Sequence, residues 1–143
     1  MIGSHLIKCW SRTQDNVTLS SAEAELVALG KAAMETLGIR SMVVEWKMAA
    51  SSEISTIYAD ASAALGIAKR QGAGKLRHIN VKTLWLQEKA LQEELSYTKI
   101  KGEENPADGL TKRVRQELAR RYAKTTSIRL STDRADTSLK LAG

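Results

Sequence analysis

Residues 54–59, ISTIYA, form a short apolar run rich in β-branched side chains, and Asp60 ends it. Such a run suits a buried strand, because branched side chains pack well on a pleated surface. An Ala-rich helical stretch from about Ala61 to Arg70 follows. A second helical pattern extends from about Asn80 to Glu94, with Val81, Leu84, Leu91 and Leu95 on one face. Residues 96–100, SYTKI, then read as another strand. Strand–helix–strand order of this kind implies a sheet with some parallel pairs and right-handed crossovers.

The flanking segments extend that α/β reading. Residues 5–10 (HLIKCW) and 17–19 (VTL) look extended, joined through the polar turn from Arg12 to Asn16. Cys9, in the first of these, reads as a small buried apolar residue. A strong helix comes next, with inward positions Ala22, Leu26, Leu29, Ala33 and Leu37. Ser20 and Glu23 make a capping box, so this helix begins at Ser21. Gly38 is a plausible stop, although the pattern can continue through Val43, Val44 and Trp46. Gln71 to Leu76, with Gly72 and Gly74, is a loop. Gly102 to Glu104 turn the chain, and Asn105 caps a helix with Pro106 at its first position. From Thr125 the periodicity fails, so residues 1–124 are expected to be one domain and 125–143 a basic, loosely docked tail.

At 143 residues the chain is one domain's worth. Its longest apolar run is far too short to span a bilayer, and no signal-peptide pattern opens it, so no membrane partner is expected. Cys9 is the only cysteine, which excludes an internal disulfide and a cysteine zinc cluster and suggests an intracellular setting. The net charge of +6 is localised: residues 1–111 hold 13 basic and 13 acidic side chains, whereas 112–143 hold 9 basic and 3 acidic. Such a basic segment either attracts a phosphate backbone or merely aids solubility, and charge alone does not separate the two.

Three carboxylates stand where different elements could bring side chains together. Asp60 lies at the carboxyl end of the apolar strand, the usual place for a site in an open α/β sheet. Asp108 lies in the first turn of the last predicted helix, and Glu25 one turn into the first, at the edge of its apolar stripe. Hard oxygen ligands suit Mg²⁺ or Mn²⁺. Each residue also has an ordinary reading. Asp60 could cap the helix after it, worth about 1 kcal/mol. Asp108 could be an acid favoured by the helix dipole at the N3 position. Glu23 is accounted for by the capping box, but Glu25 has no such role, and an acid beside an apolar stripe is costly unless paired. Spacing alone does not decide among these readings.

Longer stretches carry a resemblance. VTLSSAEAELVAL is similar to the first-helix signature of the ribonuclease H domain in copia-type retrotransposon polyproteins. TIYADASAALGIAK resembles that family's next strand and helix, and KLRHINVKTLWLQEKALQEELSYTKIKGEENPADGLTK resembles its closing segment. The match covers roughly residues 5–114 in order. Glu25, Asp60 and Asp108 fall on the family's metal-binding positions. The resemblance thus implies a ribonuclease H-like mixed sheet with flanking helices. It also implies endonucleolytic cleavage of RNA in RNA–DNA hybrids during reverse transcription, by two Mg²⁺ or Mn²⁺ ions about 3.5–4 Å apart.

The family's first strand carries an aspartate that bridges both metals, and here it is absent. His5 to Trp10 resembles the third strand, so the second is expected to be missing too, leaving three of four carboxylates and an impaired enzyme. Association with the rest of the polyprotein and its reverse transcriptase, or with a second copy, could cover the incomplete sheet. His78 falls on a position commonly histidine in that branch, with a structural or phosphate-contacting role, and His5 is incidental. Hybrid contacts would rest on Lys75, Arg77, His78, Lys82, Lys112 and Arg113, through backbone shape and 2′-hydroxyls. The alternative is a non-catalytic nucleic-acid-binding or interaction remnant of a retroelement.

Overall fold

The computed structural model describes residues 1–2, 5–13, 18, 20–50, 53–72 and 81–128. They fall into two compact units. Thr13–Asn105 makes one, and the described parts of Met1–Arg12 and Pro106–Gly143 make the other.

In the first unit, helix α1 spans Ser21–Glu45, and Ser20 Oγ accepts the Glu23 amide at 3.2 Å as its cap. The helix passes Gly38 without stopping and is capped at Trp46, so the longer of the two readings holds. Strand β1 is Ser55–Ala59, helix α2 Ser62–Lys69, helix α3 Val81–Leu91 and strand β2 Leu95–Lys99. The two strands pair in parallel, Ser55 opposite Leu95 through Ala59 opposite Lys99, so α2 and α3 form the crossover. The α/β expectation is therefore met, and the arrangement is compatible with a ribonuclease H-like fold lacking strands.

Alternation in the strands sets the core. Ile57, Leu95 and Tyr97 face inward and meet Leu29 and Ala33 of α1, Leu65 and Ala68 of α2, and Leu86 of α3. The opposite face carries Thr56, Tyr58 and Thr98, all exposed, with Thr56 and Ser96 hydroxyls bonded at 2.8 Å across the pair. Two buried polar side chains tie the layers together. Tyr97 donates its hydroxyl to the Leu86 carbonyl at 2.9 Å, and burial pushes its pKa up to about 12. Gln87 donates its amide to the carbonyls of Ile67 at 2.9 Å and Gly72 at 3.2 Å, locking α3 onto the end of α2. At the other end of α3, Glu94 accepts from Lys89 at 2.7 Å and lies 3.9 Å from the Arg40 guanidinium of α1.

Helix α3 turns a different face inward from the one its sequence suggests. Val81 and Leu91 are 77% and 67% exposed and Leu84 is also exposed, whereas Thr83, Leu86 and Gln87 are buried. Gln87 takes a core-facing position because its amide is satisfied on two backbone carbonyls, while Leu84 and Leu91 turn outward. Leu95 is buried, but on β2 rather than on the helix.

In the second unit, residues 6–10 form no strand. The segment instead makes a small bridge, with Ile2 and His5 exchanging two backbone bonds of 3.0 Å, and Cys9 is exposed rather than buried. Helix α4 is only Asp108–Thr111, with Ala107, not Asn105, at the cap position. The chain then becomes extended at Lys112 and Arg115, and a separate helix α5 runs from Gln116 to Thr125. Gly109 lets α4 approach α5, since a β-carbon there would sit 3.2 Å from the Tyr122 ring. The expected strand at 17–19 lies mostly outside the described residues, as does most of the 71–76 loop.

Candidate carboxylate site

The carboxyl edge of the parallel pair is where the local structure is most suggestive. β1 ends at Ala59, whose carbonyl accepts the Ile100 amide at 3.0 Å and extends the pairing beyond the strand. Asp60 follows at once and is half-buried. The capping explanation for it does not hold: Ala61 occupies the cap position of α2, and no side chain caps that helix. Among the described residues the Asp60 carboxylate has neither a hydrogen bond nor an ion pair. The turn at Gly102 passes close by, with the position of a glycine β-carbon 3.8 Å from Asp60 Oδ2.

The same edge carries two residues that sequence reasoning missed. Lys99 is the last residue of β2, directly opposite Ala59, and its ammonium bonds the Ser62 hydroxyl at the start of α2. The signal for it was present in the strand register: a lysine ending one parallel strand beside an aspartate ending the other.

The other two carboxylates are differently placed. Glu25 is on α1 but exposed, so the burial cost inferred from its apolar neighbours does not arise. Asp108 belongs to the second unit. It is the first residue of α4 rather than its third, and its two oxygens accept from Lys112 Nζ at 3.1 Å each. Two candidates, a metal ligand and a nucleic-acid contact, are thus paired with each other. Arg113 is exposed in the extended segment after α4. Lys75, Arg77 and His78 lie outside the described residues, and of Lys82 only the backbone, in α3, is described. Among the described residues no three His, Cys, Asp or Glu side chains gather into a group able to hold a metal ion. No helix of the described residues is long and apolar enough to cross a membrane.

No protein-family profile matches the chain, and no solved structure matches it. Over 105 residues it is 31% identical to the retrovirus-related Pol polyprotein from transposon TNT 1-94 of Nicotiana tabacum. That alignment takes in 73% of this chain but only 8% of the polyprotein. A similarity running through most of the chain supports its origin in a retrotransposon Pol polyprotein.

Proposed function

We propose that the chain belongs to the ribonuclease H part of such a polyprotein and acts on the RNA strand of RNA–DNA hybrids. Glu25, Asp60 and Asp108 are its metal-holding carboxylates in this reading. The observation that carries it is Asp60: a half-buried acid at the carboxyl end of a parallel strand, neither capping a helix nor paired among the described residues. Its donor chemistry fits Mg²⁺ or Mn²⁺, which prefer carboxylate oxygens and need only one or two of them beside substrate phosphate. Bound divalent ions supply an activated water and stabilise the leaving oxygen in reactions of this class.

The chain's own residues contribute charge and position. Lys99, held at Ser62, puts a cation on the edge that Asp60 occupies, where it favours the approach of phosphate. Lys75, Arg77, His78, Lys82, Lys112 and Arg113 are proposed hybrid contacts. The remainder of the polyprotein, with its reverse transcriptase, is the proposed physical partner.

Cleavage of a labelled RNA–DNA hybrid in Mg²⁺ and in Mn²⁺ tests the reading, with the chain and its Asp60→Asn variant purified identically. We expect weak metal-dependent cleavage by the chain and its loss in the variant. Equal cleavage by both would identify a host nuclease. That result, or no cleavage by either, overturns the reading for this chain.

A further inference from the structure

Part of the charge that makes this chain basic lies, within the second unit, on helix α5 and the segment just before it. From Arg113 to Lys124 there are five cations, Arg113, Arg115, Arg120, Arg121 and Lys124, against one carboxylate, Glu117. All five are exposed. On α5 the apolar residues turn inward: Tyr122 and Ala123 are buried, and Leu118 and Ala119 half-buried. At helical spacing Arg120, Arg121 and Lys124 then share the opposite face, three cations with the single carboxylate Glu117 among them. Arg113 and Arg115 lie in the extended segment just before the helix begins, where a cation opposes the helix dipole rather than complementing it. Helix stability does not account for that placement.

We infer that this face of α5, with the segment before it, is a docking surface for the phosphate backbone of a nucleic-acid duplex. It goes beyond the proposed cleavage reaction, since it needs neither carboxylates nor metal. Arginine predominates, and its planar guanidinium matches phosphate oxygens two at a time. An anionic membrane is disfavoured as the occupant. A helix that binds lipid by charge also inserts an apolar face, and the apolar face of α5 is already buried. The chemistry recognised is the charge and spacing of phosphates, so the surface distinguishes hybrid from DNA duplex poorly.

The test is binding of a fluorescent RNA–DNA hybrid in EDTA, followed by anisotropy across a salt series. Arg120→Gln with Lys124→Gln removes two cations from the face while keeping good helix formers. Lys47→Gln with Lys69→Gln removes two exposed lysines from the other unit and matches the change in net charge. We expect the α5 pair to weaken binding at least tenfold, and to flatten the slope of log affinity against log salt by about 2, near 0.9 for each phosphate no longer neutralised. The control pair should change both far less. Equal weakening by both pairs would reduce the effect to overall charge and overturn the proposal. So would unaltered binding by the α5 pair, or α5-dependent binding to phosphatidylserine vesicles with none to the hybrid. Circular dichroism of each variant, expected to match the parent, excludes misfolding as the cause.

Discussion

Between Thr13 and Asn105, Leu29, Ile57, Leu86, Leu95 and Tyr97 bury one another across long stretches of sequence, whereas from Pro106 onward the described burial amounts to Tyr122, Ala123 and Thr126. The first unit is a layered arrangement in which three helices cover one face of a parallel pair. The described part of the second includes two short helices, α4 and α5, with contacts such as Gly109 against Tyr122 and Asp108 against Lys112. The contrast matters for function because the proposed carboxylates are divided between them. Asp60 stands at the end of a strand with a packed core behind it. Asp108 stands at the start of a helix of four residues.

The largest effect is expected in the core of the first unit. Leu86 is 1% exposed, and Leu86→Ala should cost about 2–5 kcal/mol, the range for emptying a tightly packed site. Urea denaturation would show it. Tyr122→Ala should instead raise amide hydrogen exchange in α5 while β2 keeps its protection, since Tyr122 belongs to the second unit and β2 to the first. Loss of protection in both at once would show a single cooperative unit and end the comparison.

Tyr97 sharpens it through pH. Burial raises its pKa to about 12, from the ordinary tyrosine value of 10.0 that represents the unfolded chain. Between those values the unfolded chain releases the phenolic proton and the folded one keeps it, so stability is full below pH 10 and falls as pH rises toward 12. The loss should be on the order of 1–3 kcal/mol, by the conversion of pKa shift to free energy. The quantity to follow is the difference from Tyr97→Phe, which isolates the contribution of this one hydroxyl. That variant should be less stable at pH 8, having left the Leu86 carbonyl without its donor, yet lose less on going to about pH 11.5. Parallel losses would mean that Tyr97 is not the group sensing pH.

The same division explains what could be read from the residues alone. The cap at Ser20, both strands and Asp60 at the end of β1 follow from local patterns of branching, alternation and capping, and all were legible. The inward face of α3 was not. Periodicity weights leucine over threonine and glutamine, while Gln87 is buried because two backbone carbonyls wait for it. The break between α4 and α5 contains no proline or glycine, so nothing in LTKRVRQE announces it. At the candidate site, Glu25's exposure depends on how α1 is rotated against its neighbours, which spacing constrains only loosely. The pairing of Asp108 with Lys112 depends on a helix start that shifted to Asp108 from the expected Pro106.

That pairing yields the smallest prediction. Asp108 precedes Lys112 by one turn, the favourable order for an i, i+4 pair, and the lysine side chain is 63% exposed. A double-mutant cycle with Asp108→Asn and Lys112→Ala should therefore give a coupling of only about 0.3–0.5 kcal/mol, shrinking in molar salt. The natural readout is exchange protection of α4 itself, since a perturbation so small would vanish in a global unfolding curve. A coupling above about 1 kcal/mol would contradict the weak, solvent-screened pair described here. It would place the Asp108 carboxylate in a firmly held pair, which an arriving dication could not cheaply take over. A weak coupling leaves the carboxylate able to exchange an ammonium for a metal ion at little cost, which the proposed role of Asp108 requires.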